Sequence, residues 1–306
     1  MALSDEKILV TGPAGQIAFP LVRHLAADNE VWGAARFSTP GSRQKVDELG
    51  VTTVVCDLDA GQFDDLPTDF TYVLHLAAYM APGWDFDAAF RVNGEATGLL
   101  LQHCRSAKAA LVMSTHSVYR PVDDPAHMFL ETDPLGEVNA QHAPTYSMSK
   151  LSQEAVARFC ARAFNLPVTI ARMNASYGPN GGLPSMQFDA MAAGNPIVTR
   201  WDPCWYSPIH EDDICTQTEA LLDAASVPAT IVNWAGDEPV TVQQWAELFG
   251  ELQGRPAEVQ VREIPGTLRG SIASNEQRLA LTGPCRWGWR DGMTSAFAGR
   301  VSRPAQ

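Results

Sequence analysis

Cysteine pairs and metal-binding clusters are missing from this sequence. Its six cysteines lie far apart, none falls in a Cys-x-x-Cys spacing, and no Cys/His cluster has the spacing of metal ligands. We therefore expect no disulfide framework and no bound metal. Reduced thiols in a reducing compartment are the expectation instead. The six positions are Cys56, Cys104, Cys160, Cys204, Cys215 and Cys285.

Basic runs and long apolar runs are missing as well. The chain carries 22 basic and 35 acidic residues, which gives a formal net charge of −13. This charge disfavours nucleic acid and anionic membranes as partners. No apolar stretch approaches the roughly 20 residues that cross a bilayer. A strand-like run starts already at Lys7, so we expect no signal peptide and a soluble, cytoplasmic protein.

Short strand-like runs that alternate with helical segments dominate what is present. The 306 residues are 45% hydrophobic, enough for one large core or for a domain and a smaller lobe. Such alternation predicts an α/β fold with a parallel, doubly wound sheet, whose ligands bind at the carboxyl ends of the strands. The predicted strands span 7–10, 30–35, 52–56, 72–76, 110–113, 168–171 and 230–234, with helices at 93–107 and 242–252.

A glycine turn follows the first predicted strand. Residues 11–18 read TGPAGQIA and lead into an amphipathic stretch. Glycines let the backbone approach a pyrophosphate, and the following helix N-terminus offers it free N–H groups. Ala18 takes the place of a third glycine and is small enough for close packing of helix on strand. The turn predicts a dinucleotide site, although a tight strand–helix turn without a ligand would look similar.

Tyr146 and Lys150 are four residues apart in a segment with helical apolar spacing. A tyrosine with an ordinary pKa of about 10 is a poor acid–base catalyst at neutral pH. A neighbouring ammonium favours the phenolate and lowers that pKa. The pair is therefore a candidate proton-transfer device, although surface helices also produce this spacing by accident.

These features occur in the order found in a known family. The chain resembles the extended short-chain dehydrogenases/reductases, also described as NAD-dependent epimerase/dehydratase proteins. The resemblance covers nearly the whole chain and implies a Rossmann-type domain over 1–175, joined by the later strand at 230–234, and a mainly substrate-binding lobe over 176–306. It is carried by TGxxGxxA at 11–18, HLAA at 75–78, Asn93, STxxVY at 114–119, YxxxK at 146–150, YGP at 177–179 and IHxDD at 209–213.

The resemblance implies hydride transfer between a nicotinamide cofactor and a substrate carbon. Tyr146 is implied as the acid–base residue and Thr115 as the hydrogen-bond partner of the reacting oxygen. Lys150 is implied to lower the pKa of Tyr146 and to hold the nicotinamide ribose, with Asn93 orienting a helix turn or a water nearby. The implied cofactor-binding positions are Gly12, Ala14, Gly15, Gln16, Ile17, Arg36, Ser38, Asp57, Leu58, Leu76, Ala77, Ala78, Asn93, Tyr146, Lys150 and Met173.

Arg36 bears on the choice of cofactor. NAD-binding members of the family carry an acidic residue at the end of the second strand, where this chain has Arg36 with Ser38 nearby. A guanidinium pairs with a 2′-phosphate that a carboxylate would repel. We expect NADP(H) to be preferred, with NAD(H) as the alternative if Arg36 is only a solvated loop residue.

Three departures from the family bear on the substrate. Dehydratase members place an Asp-Glu pair after the catalytic threonine, where this chain has His116 and Ser117. Sugar-nucleotide epimerases carry an arginine where this chain has Tyr206, and an asparagine where it has Ala175, with Asn174 one residue away. An aromatic cluster near Tyr206 suits an apolar or ring-containing substrate, although it could equally pack the lobe. The candidate substrate-binding residues are Tyr79, His116, Ser117, Asn174, Trp205 and Tyr206.

Three functions remain open from the sequence. The first is an NADP(H)-dependent oxidoreductase that interconverts a carbonyl and an alcohol on a small, non-nucleotide, aromatic or apolar substrate. The second is an NAD-dependent sugar or sugar-nucleotide epimerase, in which Arg269 or Arg286 would supply the missing cation. The third is a non-enzymatic dinucleotide sensor, against which the intact Thr115, Tyr146 and Lys150 set argues. The family resemblance also implies a homodimer.

Overall fold

The computed structural model describes residues 3–136 and 143–300. Its strands are β1 (Lys7–Thr11), β2 (Glu30–Ala35), β3 (Thr52–Val55), β4 (Tyr72–His75), β5 (Ala109–Thr115), β6 (Met128–Phe129), β7 (Val168–Met173), β8 (Ser176–Gly178), β9 (Gly181–Gly182), β10 (Ile197–Thr199), β11 (Trp205–Tyr206), β12 (Ile209–His210), β13 (Thr230–Trp234), β14 (Val240–Thr241), β15 (Val259–Val261) and β16 (Gly270–Ala273). Its helices are α1 (Ala18–Leu25), α2 (Ser42–Asp47), α3 (Phe86–Ala89), α4 (Ala96–His103), α5 (Tyr146–Phe164), α6 (Leu183–Ala192), α7 (Glu211–Asp223), α8 (Val242–Gln253), α9 (Glu276–Thr282) and α10 (Trp289–Ala298).

A seven-stranded sheet forms the centre of the molecule, in the order β13-β7-β5-β4-β1-β2-β3. Each neighbouring pair in it is parallel. The predicted doubly wound α/β fold is thereby confirmed. The strand order reverses between β1 and β4, and ligands bind such sheets outside the carboxyl ends of the strands at this point.

Both faces of the sheet are covered, which is why its strands read as continuous apolar runs. On β1, Ile8 and Val10 pack with α1 and α7 on one face, whereas Leu9 packs with α4 and α5 on the other. All three side chains are fully buried. Burial of each contributes about 1.5–3 kcal/mol.

The predicted helix over 93–107 is shorter and less regular than expected. A π-helical turn, Phe90–Glu95, joins α3 to α4, and α4 ends at His103. π-Turns are uncommon and are found frequently at functional sites. This one carries Asn93, whose side chain is fully buried.

The sequence after 175, together with β6, builds small sheets and a separate apolar core. One sheet has the order β14-β11-β16-β6 and another the order β12-β8-β9. Phe188, Trp245, Phe249 and Phe297 lie at the centre of this core. β13 returns to the main sheet and pairs with β7; the domain boundary at 175/176 stays a prediction. Within the described ranges, no helix is both long and apolar enough to cross a membrane.

Candidate active site

A groove of about 670 Å³ opens at the carboxyl edge of the central sheet. It follows the ends of β1, β2, β3 and β4, where the sequence predicts a dinucleotide. Its lining includes these predicted positions: Gly12, Ala14, Gly15, Arg36, Ser38, Asp57, Leu58, Leu76, Ala77, Ala78 and Tyr79. Of these, Tyr79 was expected to contact substrate rather than cofactor.

Gly12 brings the backbone of the turn close to the end of β4. Its φ is +67°, and an added Cβ would lie 3.2 Å from the Ala77 Cα. The Gly15 N–H donates to the Gly12 carbonyl at 2.9 Å. No side chain caps the N-terminus of α1, and no acidic residue lies in its first turn. Free N–H groups and a positive helix end beside a glycine turn fit a dinucleotide pyrophosphate.

The far end of the groove has a positive character. Arg36 is exposed at the end of β2, and no carboxylate takes its place there. Lys45, which the sequence did not indicate, lies over the Phe19 ring at 3.6 Å from its centroid. The Asp57 carboxylate accepts the Asp59 N–H at 3.1 Å. Other lining residues that the sequence did not indicate include Phe37, Ser42 and Val92.

The predicted catalytic set comes together at the end of β5. Thr115 is the last residue of β5, and Tyr146 is the first residue of α5. The Thr115 side chain interacts with that of Tyr146, in the direction that lowers the pKa of the phenol. The Thr115 hydroxyl also accepts the Ser117 N–H at 3.2 Å. Lys150 is buried one turn along α5, and its Nζ donates to the Met113 carbonyl at 2.5 Å.

The electrostatics of Tyr146 and Lys150 differ from the expectation. Burial raises the pKa of Tyr146, and the interaction with Thr115 only partly offsets this. Lys150 was expected to lower that pKa, but here its Nζ is bonded to a backbone carbonyl. Burial lowers the pKa of Lys150 to about 7, against the opposing charge of Glu154. Tyr146 is therefore protonated at neutral pH in this structure.

A buried hydrogen-bond network links the glycine turn to the catalytic helix. His75 Nδ1 lies 2.8 Å from the Thr11 hydroxyl, and its Nε2 lies 2.8 Å from the Thr97 hydroxyl. Thr97 in turn donates to the Asn93 carbonyl at 2.7 Å. Asn93 Nδ2 reaches the Ser149 hydroxyl at 2.8 Å.

Asn93 contacts the helix turn next to Lys150, which agrees with one of its two expected roles, and it also holds the backbone of Tyr79. Its side chain accepts the Tyr79 N–H at 2.7 Å and donates to the Tyr79 carbonyl at 3.0 Å. It is not among the residues that line the groove. Asn93 holds Tyr79 and α5 in place rather than offering a free amide to a cofactor or a water.

Three other expected cofactor positions lie beside the groove lining. Gln16 Nε2 donates to the Ser176 hydroxyl at 2.8 Å, so this side chain ties the turn to β8. Ile17 immediately precedes α1. Met173 is buried and pairs with Thr115 in the β5–β7 register.

Two expected substrate ligands hold the lobe together. Asn174 Nδ2 donates to the Ser271 carbonyl at 2.7 Å, and its Oδ1 accepts the Ala175 and Ser207 N–H groups. His116 Nδ1 lies 2.9 Å from the Ser271 hydroxyl. Burial lowers the pKa of His116 to about 3, so the ring is neutral. Ser271 contacts both side chains, whereas His116 Nε2 has no hydrogen-bond partner among the described residues.

The remaining substrate candidates are more accessible. Ser117, Trp205 and Tyr206 are half-buried. The Tyr206 hydroxyl accepts a hydrogen bond from Arg200 Nη2 at 2.8 Å. This guanidinium was not indicated by the sequence, because Arg200 lies six residues away in another strand-end loop. A cation therefore lies next to the Tyr206 phenol.

The chain matches a family model described as the NAD dependent epimerase/dehydratase family over residues 8–202. A curated relative, the probable dTDP-glucose 4,6-dehydratase of Sinorhizobium fredii, is 31% identical over 197 residues. That match covers 56% of this chain and 54% of the relative, so the match spans about half of that protein's length.

Solved structures show the same fold over nearly the whole chain. The UDP-glucuronic acid 4-epimerase of Bacillus cereus, in complex with UDP-glucuronic acid and NAD, has a TM-score of 0.82 at 23% identity and covers 96% of this chain and 98% of that one. MoeE5 in complex with UDP-glucose and NAD has a TM-score of 0.80 at 25% identity, with coverages of 97% and 99%.

Replacing Gly12 by alanine tests the close approach in the glycine turn. We expect Gly12→Ala to weaken binding of NADH at least about tenfold, because the new methyl group meets the Ala77 backbone and displaces the turn. A fluorescence titration measures it. Gly254→Ala is the matched control, since Gly254 has a similar φ of +68° with open space around it. Equal NADH affinity of Gly12→Ala and Gly254→Ala would contradict a role of this turn in binding the cofactor.

The burial of Lys150 predicts a pH dependence of stability. Between pH of about 7 and its ordinary pKa of 10.5, the unfolded chain holds a proton on Lys150 that the folded chain does not. Stability therefore rises with pH across this window. Relative to Lys150→Met, we expect the free energy of unfolding of the unmodified protein to gain on the order of 3 kcal/mol. Urea unfolding of both proteins from pH 6 to 10 measures it; a constant difference contradicts the assignment.

Proposed function

Because the chain belongs to the NAD-dependent epimerase/dehydratase family, we propose that it is a sugar-nucleotide epimerase that uses NAD. Members of this family are enzymes of the extended short-chain dehydrogenase/reductase type. The observation that carries the proposal is the Thr115–Tyr146 pair with Lys150, at the end of β5 next to the strand ends that line the groove. The NAD and UDP-sugars held by the solved neighbours support it.

The chemistry follows from the positions of these side chains. A bound nicotinamide supplies the acceptor and donor of hydride. Thr115 fixes the oxygen of the reacting hydroxyl, and Tyr146 exchanges a proton with it. The raised pKa of Tyr146 keeps it protonated in this structure, in which Lys150 Nζ donates to the Met113 carbonyl. A Lys150 ammonium next to the phenol would favour the phenolate, which is the basic form.

Elimination of water is disfavoured as the reaction. Its mechanism in dehydratase members uses an acid pair after the catalytic threonine, where this chain has His116 and Ser117. His116 is neutral, and its Nδ1 is bonded to Ser271. Neither residue replaces a carboxylic acid. Epimerisation needs only the oxidation and reduction steps that Thr115, Tyr146 and Lys150 serve.

A phosphate-bearing substrate is supported by Arg200. Its guanidinium donates to the Tyr206 hydroxyl, and it forms no ion pair within the described ranges. A half-buried cation without a carboxylate partner favours an anionic ligand. The sequence had suggested that the residues that bind a nucleotide diphosphate are absent. Arg200 supplies one cation that suits such a group.

Arg36 favours a second candidate, an NADP(H)-dependent reductase acting on a non-nucleotide substrate. It is exposed at the adenosine end of the groove with Ser38 and Lys45 nearby. The solved neighbours hold NAD, so they lend no support to an NADP(H) preference.

A homodimer remains a prediction. Exposed apolar side chains on α4 and α5 favour it, among them Leu99 at 45% and Phe159 at 65% exposure. The family resemblance implies pairing through these helices. A cytoplasmic location is likewise an expectation from the sequence.

Tyr146→Phe tests the acid–base role. We expect turnover of UDP-sugars to fall about 10²- to 10⁴-fold, because the proton-transfer group is lost, while NADH affinity stays within about twofold. Coupled assays of UDP-sugar epimerisation and NADH titrations measure the two effects. Tyr72→Phe, at the opposite edge of the sheet, is the control and should retain activity. Full activity of Tyr146→Phe would exclude the catalytic assignment.

Arg36→Asp tests the cofactor choice. If Arg36 pairs with a 2′-phosphate, the unmodified protein binds NADPH more tightly than NADH, and the substitution reverses the order by about tenfold or more. Fluorescence titration of cofactor-free protein measures both affinities. Arg105→Asp makes the same charge change away from the groove and should leave the ratio unchanged. Tight NADH binding without an NADPH preference supports the NAD-dependent epimerase.

A further inference from the structure

Glu154 continues the catalytic face of α5. Tyr146, Lys150 and Glu154 follow one another at intervals of four residues, so their side chains lie on the same side of the helix. The Glu154 side chain is only 3% exposed. A buried carboxylate one turn beyond a catalytic lysine is costly unless charged and polar groups pair with it.

Arg172 supplies the charge that pairs with Glu154. Its Nε donates to Glu154 Oε1 at 2.9 Å, and its Nη2 donates to Oε2 at 2.8 Å. This geometry is bidentate, the strongest arrangement for such a pair. Arg172 Nη1 is fixed in turn by the Tyr119 hydroxyl at 3.1 Å and the Glu131 carbonyl at 2.9 Å.

Ser114 connects the same carboxylate to the catalytic strand. Its hydroxyl donates to Glu154 Oε1 at 2.5 Å. Ser114 directly precedes Thr115 on β5 and pairs with Arg172 in the β5–β7 register. One carboxylate therefore joins α5, β5 and β7 at the point where Thr115 leaves the sheet.

The groups around Lys150 leave Glu154 as its only nearby anion among the described residues. Tyr146 on α5 is protonated, and His75 on β4 is neutral because burial lowers its pKa to about 3. Arg172 on β7 is bound to both carboxylate oxygens of Glu154. The Lys150 Nζ contacts an uncharged carbonyl, that of Met113. Glu154 thus favours the ammonium form of Lys150 against the effect of burial.

We propose that Glu154 is a positioning residue of the active site, which favours the ammonium form of Lys150 and fixes the Ser114–Thr115 segment against α5. For catalysis this rests on the proposed function, since a charged lysine matters there for proton transfer through Tyr146. The electrostatic part holds for the folded protein whatever its substrate is. A purely structural ion pair would stabilise the fold without changing the titration of Lys150.

The test compares the proton linkage of Lys150 in two backgrounds. In the first, the pH dependence of unfolding is measured for the unmodified protein and for Lys150→Met. In the second, the same pair is measured with Glu154→Gln added, which keeps the shape of the side chain and removes its charge. We expect the lower end of the Lys150 titration to move down by about one pH unit in the second background. Identical windows in the two backgrounds overturn the proposal.

A further background is needed if Glu154→Gln does not fold because Arg172 is left unpaired. Glu154→Gln with Arg172→Met removes both charges. We expect the Lys150 titration to move down here too, because the Glu154 carboxylate is the charge that favours the ammonium form of Lys150. No shift in this folded variant overturns the proposal as well.

Ser114→Ala separates the effect of the Glu154 charge on Lys150 from the hydrogen bond that holds the Ser114–Thr115 segment. It removes the hydrogen bond to Glu154 but keeps the charge, so the Lys150 titration should stay in place. Where UDP-sugar turnover is detected, the alkaline limb of the kcat profile should move down in Glu154→Gln and stay in place in Ser114→Ala, with KM nearly constant. If the Lys150 titration shifts in a protein that shows no UDP-sugar turnover, the result supports the role of Glu154. It then contradicts only the sugar-nucleotide function.

Discussion

The buried histidine at the end of β4 holds the two halves of the site at a fixed separation. The Thr11 hydroxyl accepts the Leu76 and Ala77 N–H groups, so its own proton goes to His75 Nδ1. His75 Nε2 then donates a hydrogen bond to the Thr97 hydroxyl, which in turn donates one to the Asn93 carbonyl. This arrangement requires a neutral ring, and burial lowers the pKa of His75 to about 3. The glycine turn and the catalytic helix are thus joined by hydrogen bonds that neutral pH does not disturb.

The carboxyl edge of the sheet could be predicted from the sequence because its signals are local. A short apolar run, a glycine turn and a helical stripe are read within about 20 residues of one another. Parallel strands then place Gly12, Arg36, Asp57 and Ala77 at one edge whatever the details of packing. The lining of the groove by these positions follows from topology alone.

What could not be predicted depends on contacts between residues far apart in the sequence. Asn174 and His116 looked like substrate ligands, but Ser271 takes up polar atoms of both. The spacing of apolar residues along the chain does not show such a distant hydrogen-bond partner. The pKa of Tyr146 was expected to fall because a lysine lies one turn away. Spacing on a helix says nothing about burial, and burial raises the pKa of Tyr146 here while Lys150 is bonded to a backbone carbonyl.

The substrate end shows why a missing motif residue is weak grounds for excluding a ligand. Tyr206 stands where sugar-nucleotide epimerases have an arginine, and a phenol alone cannot neutralise a diphosphate. Yet Arg200 donates to that phenol and keeps four further N–H groups on its guanidinium. A hydrogen bond to a neutral hydroxyl leaves the positive charge intact. The Tyr206–Arg200 pair therefore places a cation next to the position that Tyr206 occupies. The positive charge is carried by Arg200 instead of by the residue at position 206.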